Sequence, residues 1–162
     1  MESSVFIALG SNLGDRELNL LRAVAEIGKL PGSKVSALSN FYDTQPVGQV
    51  VQGNFLNAVL RLGTRLTPQK LLSELQRIET VLFKRKRTVD WRPRVIDLDI
   101  ILYGNRILSD NALVIPHPRL HERAFVLVPL AEIAPGFIHP GLGKSVDEIL
   151  KGLKNLERVT RV

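Results

Sequence analysis

Apolar residues open the chain as one short unbroken run, Val5-Phe6-Ile7-Ala8-Leu9, which reads as a buried strand ended by the turn-forming stretch Gly10-Ser11-Asn12-Leu13-Gly14. The spacing of Leu18, Leu21, Val24, Ala25 and Ile27 then predicts a helix from Asp15 to about Lys29. Asp15 stands at its N-cap, these residues form its buried side, and Pro31-Gly32 closes it. Val35 to Tyr42 reads as a second strand, and the Pro-, Gly- and Gln-rich stretch Asp43 to Gly53 as a loop. Phe55 to Leu62 alternates as a third strand, with Phe55, Asn57, Val59 and Arg61 on one face and Leu56, Ala58, Leu60 and Leu62 on the other. Thr67-Pro68 has the form of an N-cap and a first-turn proline, opening a second helix that buries Leu71, Leu72, Leu75, Ile78 and Leu82. Ile96 to Tyr103 is the fourth strand and turns at Gly104-Asn105. A short strand from Leu113 to Ile115, a helix from Arg123 to Ala134 and a last helix near Val146 to Leu153 follow.

The resulting order βαββαβ predicts an α+β, ferredoxin-like sandwich. Its sheet is mostly antiparallel, its helices lie on one face, and additions follow at the C-terminal end. A Rossmann fold fits less well, because Gly10 and Gly14 do not have the dinucleotide-fingerprint spacing and no Walker A sequence is present. A length of 162 residues suits one domain spanning 1–162, and 44% apolar with 23% charged residues is the balance of a globular chain. The absence of cysteine excludes disulfides, thiolate metal sites and cysteine nucleophiles. The start of the chain carries an acid and only a five-residue apolar run, so the expectation is a cytoplasmic protein with no signal peptide and no membrane span.

The net charge of +6 is a local matter. Lys84, Arg85, Lys86, Arg87, Arg92 and Arg94 surround the single acid Asp90, so 84–94 carries +5 and the rest of the chain about +1. Such a patch attracts polyanions, a nucleic-acid backbone or a nucleotide triphosphate. Basic residues after the second helix also complement its dipole as a solvated end.

Asp97-Leu98-Asp99 is the sharpest chemical feature. On a strand, residues two apart share a face, so both carboxylates project together while Ile96, Leu98 and Ile100 point the other way. Such acids repel one another; a divalent cation such as magnesium gives them a reason to be adjacent, and a solvated sheet face is the plain alternative. Trp91 and Arg94 immediately precede the pair, and a guanidinium suits phosphate oxygens, so the neighbourhood reads as a phosphoryl-transfer site. Glu79, taken alone, reads as a surface acid. His117 and His121 flank Pro118, which breaks the helix a zinc pair would need, so His117 with Arg123 suits phosphate better. His139-Pro140 reads as a turn. Phe55 and Asn57 share a strand face, where a ring could stack on a flat heterocycle and an amide meet its edge, or where both simply belong to the core.

Taken together, Ala8 to Gly14, Phe41 to Pro46, Phe55 to Ala58, Gln76 to Glu79, Pro93 to Ile100, Ile115 to Pro118 and Arg123 to Leu130 resemble the 6-hydroxymethyl-7,8-dihydropterin pyrophosphokinase family, over residues 5 to about 141. The resemblance implies transfer of the β,γ-diphosphate of ATP to the pterin hydroxymethyl group with release of AMP. It implies two magnesium ions on Asp97 and Asp99, and phosphate contacts from Arg94 and His117, with Arg123 serving the transferred group. It places Phe55 and Phe125 on the two faces of the pterin, and Thr44 and Asn57 at its polar edge. Ile100 and the segment Leu113 to Ile115 become neighbours of the adenine. Glu79 becomes a supporting acid, and Lys84 and Trp91 belong to a loop, 84–94, that closes over the pocket. Phe83, Lys84 and Arg92 stand where many relatives have glycine, arginine and glycine, which bears on loop dynamics and ATP affinity. The expected partners are ATP and the pterin, with no nucleic acid and no membrane, for a monomer.

Two rival classes meet the same residues. A nucleic-acid-binding module would spread its basic residues and aromatics along the sheet, whereas here the charge sits beside two acids that repel a backbone. A nucleotidyltransferase would use the same acid pair but release diphosphate in place of AMP.

Overall fold

The computed structural model describes residues 2–45, 53–84, 94–154 and 159–162. The expected closing segment, with Trp91 and Arg92, therefore lies largely outside the described residues, as does most of the stretch read as a loop before Gly53.

The chain runs β1 (Ser3–Ser11), α1 (Arg16–Gly28), β2 (Ser33–Leu38), β3 (Tyr42–Thr44), β4 (Phe55–Thr64) and α2 (Pro68–Arg77), whose end continues as a π-helical turn, Ile78–Leu82. It goes on through β5 (Asp97–Tyr103), β6 (Leu108–Ser109), β7 (Val114–Ile115), a 3-10 turn at Leu120–Glu122, α3 (Ala124–Ile133), α4 (Val146–Lys151) and β8 (Val159–Arg161). The main sheet has the order β5-β1-β4-β3-β8, with β2 also on β4, and its pairs are antiparallel. Because β4 lies between β1 and β2, and β1 between β4 and β5, each of α1 and α2 crosses over an intervening strand. These two interleaved split βαβ units make the ferredoxin-like fold.

Local chemistry starts the helices where the sequence indicates. Asp15 Oδ1 accepts from Leu18 N at 3.1 Å, and Thr67 Oγ1 accepts from Lys70 N at 3.2 Å, with Pro68 in the first turn. One core joins α1 and α2 to the sheet face carrying Val5, Ile7, Leu9, Leu56, Leu60, Leu62, Leu98 and Ile100.

Several sequence expectations are corrected. The buried side of α1 is Asn19, Leu20, Ala23 and Ile27, while Leu18 and Leu21 are about half exposed at 50% and 48% and Ala25 is exposed. Two adjacent stripes share this leucine-rich helix, and only the one next to the sheet is covered. Leu20→Ala should therefore cost about 2–5 kcal/mol, and Leu21→Ala under about 0.5 kcal/mol, in denaturant melts. Equal losses would restore the other face. The strand expected over Val35 to Tyr42 is two strands, and its continuation includes Asp43 and Thr44, which were expected in a loop. Between them Ser39 takes over the pairing, its N–H donating to Val59 O and its hydroxyl accepting from Val59 N, both at 2.9 Å. Helices do not cover one face alone. α3 and α4 pack Val126, Leu127, Leu130, Val146 and Ile149 against Phe6, Val59, Ile101 and Leu102 on the opposite face. The short strands β6 and β8 and the π-helical turn carry no periodicity long enough to be read.

Candidate active site

α3 covers only part of its face of the sheet, and the uncovered part holds a cavity of about 680 Å³. Its floor follows from strand register. Gly10 of β1 pairs with Asn57 of β4 on one side and Asp97 of β5 on the other; one step along, Ala8 pairs with Val59 and Asp99. Two small residues thus lie between an aromatic–amide wall and an acidic one. A Cβ on Gly10 would stand 2.9 Å from Asn57 Oδ1 and 3.6 Å from Phe55 Cδ1, so glycine is needed for that wall to lie over the strand. Gly10 and Ala8 line the cavity floor without having been singled out in the sequence; the signal was the change from bulky to small residues at the end of a buried strand.

On the amide wall, Asn57 Nδ2 donates to Thr44 Oγ1 at 2.6 Å, and both residues are buried. That bond fixes the amide orientation and turns the Asn57 carbonyl toward Gly10. Phe55 and Phe125 both line the cavity, and the Arg123 guanidinium lies 5.6 Å from the Phe125 ring centroid.

On the acidic wall, Arg94 Nη1 donates to Asp97 Oδ2 at 2.8 Å. Burial first, then the charges of Asp97 and Glu79, push the Asp99 carboxyl from an ordinary 3.8 up to about 7, against the pull of Arg123 and Arg94. Glu79 is not the surface acid its isolated sequence context suggests. The π-helical turn brings it inward to 8% exposure, where Oε2 accepts from Leu98 N, between the two aspartates, at 2.8 Å.

Asn12 is a further residue whose part in the site was not foreseen. Its Oδ1 accepts from Arg94 N at 2.7 Å, its own N–H donates to Arg94 O at 3.0 Å, and its Nδ2 donates to Gly53 O at 3.3 Å. Buried Asn19 braces this turn by donating to Ser11 Oγ at 3.2 Å and Leu13 O at 3.0 Å. A polar side chain straight after a buried strand was the readable sign; the partners it joins are more than 40 residues away.

His117 stands where the 680 Å³ cavity meets a second one of about 250 Å³. Burial, then Arg123 and Arg119, lower its pKa to about 4. Its Nδ1 accepts from Arg119 N at 3.2 Å, which assigns the neutral ring's proton to Nε2. Because the folded pKa lies below the ordinary 6.5, the stability tied to the neutral ring is complete above about pH 6.5 and is lost as pH falls toward 4. NMR titration of the ring protons in the free protein should give a midpoint near 4, and one at or above 6.5 would remove the buried setting. The second cavity is lined by Leu72, Ile100 and Leu113 as well as Asp99. Ile115, grouped with them in the sequence, is instead buried in the core at 1% exposure. Lys84 is exposed, with a left-handed φ of 50°, and is not among the residues lining either cavity.

An α+β sandwich whose open sheet face sets paired acids against Arg94, Arg123 and His117 fits the class of phosphoryl-transfer enzymes. Comparison with known proteins gives the family. The family model for 7,8-dihydro-6-hydroxymethylpterin-pyrophosphokinase matches residues 6–135. The 2-amino-4-hydroxy-6-hydroxymethyldihydropteridine pyrophosphokinase of Bacillus subtilis (strain 168) is 46% identical over 133 residues, covering 82% of this chain and 79% of that protein. The protein of the same name from Methylorubrum extorquens is 45% identical over 156 residues, 95% and 97% of the two chains. Among solved structures, wild-type Plasmodium falciparum HPPK-DHPS with pterin and p-hydroxybenzoate superposes with a TM-score of 0.72 at 14% identity. That likeness is one of fold; it covers 93% of this chain, which spans 43% of the solved one. The chain belongs to the 7,8-dihydro-6-hydroxymethylpterin-pyrophosphokinase family.

Proposed function

We propose that the chain is a single catalytic domain that transfers the β,γ-diphosphate of ATP to the hydroxymethyl oxygen of 6-hydroxymethyl-7,8-dihydropterin and releases AMP. The observation that carries this reading is the row Asn57–Gly10–Asp97, which sets a site for a flat heterocycle one strand away from a site for phosphates.

In the wider cavity, Phe55 and Phe125 stack on the pterin, while the Asn57 carbonyl and the Thr44 hydroxyl meet its polar edge. The narrower cavity, with Ile100 and Leu113, takes the adenine, so the triphosphate runs past His117 toward Asp97 and Asp99. Arg94 and Arg123 bind phosphate oxygens, and neutral His117 donates from Nε2. The hydroxymethyl oxygen bonds to the β-phosphorus as the bond to the α,β-bridging oxygen breaks. AMP leaves with that oxygen, and the hydroxyl proton passes to the medium.

The acids fit magnesium. A carboxyl pushed toward neutrality by burial first and then by two like charges gains from a divalent cation, and carboxylate oxygens are the hard donors magnesium prefers. Asp97 and Asp99 would hold the two magnesium ions that the family resemblance implies. When bound, the ions neutralise phosphate oxygens on both sides of the breaking bond. Glu79 keeps both aspartates on the cavity face by holding the backbone between them.

Soluble substrates suit a cytoplasmic, monomeric enzyme, and no described helix is long and apolar enough to cross a membrane. Incubation with ATP, magnesium and the pterin should give AMP and the pterin diphosphate in equal amounts. Release of ADP or free diphosphate would replace this reading with a kinase or a nucleotidyltransferase.

A further inference from the structure

We infer that Glu132, outside the cavity at the far end of α3, is a positioning residue that pins β3 to α3 and so sets the Thr44–Asn57 pair that recognises the heterocycle; this rests on the reading that the pterin occupies the wider cavity. The Glu132 carboxylate gathers donors from both sides of the start of β3. Asn40 N lies at 3.0 and 3.2 Å from its two oxygens, Asn40 Nδ2 lies at 2.9 Å, and the Tyr42 hydroxyl donates to Oε1. Glu132 is exposed, yet the phenol it holds is buried, and burial followed by the Glu132 carboxylate pushes the Tyr42 pKa up to about 12, with Arg161 of β8 acting against the rise.

This anchor adds a side-chain tie to a strand that is short. It has three residues and follows the break at Ser39; among the described residues its ladder to β4 and β8 runs through Tyr42, Asp43 and Thr44, with Phe41 O accepting from Val162 N at 2.9 Å just before it. α3, in contrast, is fixed by Val126, Leu127 and Leu130 in the core. Tyr42 and Thr44 are two apart on one strand face, so whatever holds the Tyr42 phenol also orients the Thr44 hydroxyl that receives Asn57 Nδ2. On α3, Phe125 and Glu132 are seven residues apart and therefore lie on one helix face, two turns from each other. One carboxylate thus ties the strand that meets the heterocycle's edge to the helix that meets its ring.

The test is Glu132→Gln, which keeps the size of the side chain but removes its charge, with Glu132→Ala beside it. Three measurements are made on each: the ultraviolet titration of tyrosine, hydrogen exchange of the Tyr42–Thr44 amides, and calorimetric affinities for the pterin and for an ATP analogue. Tyr42 should titrate below about 12 in both variants. Loss of hydrogen bonds to the Glu132 carboxylate should speed exchange at Thr44 and weaken pterin binding on the order of tenfold, with the ATP analogue within about twofold. An unchanged tyrosine titration removes the contact and with it the inference. Pterin affinity unchanged despite a shifted titration makes the cluster merely structural, and equal losses for both ligands mean general loosening; either overturns it. If the wild-type protein does not bind the pterin, the functional reading fails, and exchange at Thr44 still decides whether Glu132 positions β3.

Discussion

Asp97→Ala and Asp99→Ala should each leave the fold intact and lower turnover by at least roughly a hundredfold at saturating magnesium. Both carboxylates face the cavity beside Arg94 and Arg123, and the backbone between them is held by Glu79 independently of either side chain. Circular dichroism and melting would confirm the fold, and near-normal turnover in both variants would sink the assignment. Asp99 has a second, opposite signature. Its folded pKa is raised, so the stability it contributes is complete below an ordinary 3.8 and is lost as pH rises through about 7. Asp99→Asn carries no charge to set against Asp97 and Glu79. It should therefore melt higher than the wild type without divalent cation, by a margin that widens from pH 5 to pH 8, while being inactive. A margin that shrinks over that range would show that burial and the neighbouring charges do not raise the Asp99 carboxyl.

Phe55→Ala and Phe125→Ala should each weaken pterin binding by about 1–3 kcal/mol, from lost stacking and burial, with less change in ATP binding. The two rings then part company in the kinetics. Phe125 also lies under the Arg123 guanidinium, so its loss frees that cation and should lower turnover as well as affinity. Among the described residues Phe55 has no such partner, and its loss should act on the pterin KM alone. Calorimetry and steady-state rates separate the cases, and equal losses for pterin and ATP would mean a packing defect in the sheet.

Much of this was legible because period-2 patterning is a direct statement about faces. Asp97 and Asp99 opposite Leu98 and Ile100, and Phe55 and Asn57 opposite Leu56 and Ala58, came out on the faces their alternation assigns. The caps at Asp15 and Thr67 were equally plain, being local hydrogen bonds. What was not legible depended on partners distant in sequence. The covered stripe of α1 is chosen by the sheet, since Leu18, Leu20 and Leu21 are alike as residues. Glu79 looked like a surface acid because nothing local announces a π-helical turn or the Leu98 amide 19 residues on. Asn12 and Glu132 act across 82 and 92 residues, so their spacing carries no periodic signal.

β5 stands at the end of the sheet's strand order, where outward-facing backbone groups offer a template for another chain. Two of those groups are taken: the Leu98 amide by Glu79, and the Ile101 carbonyl by the His117 amide at 3.0 Å. The residues that shape the acid pair and the phosphate route therefore also blunt an adhesive border. Loss of Glu79 would release the backbone between the two aspartates and unmask part of a strand at the same time. Glu79→Ala should therefore self-associate more readily than the wild type, which sedimentation at rising concentration would read.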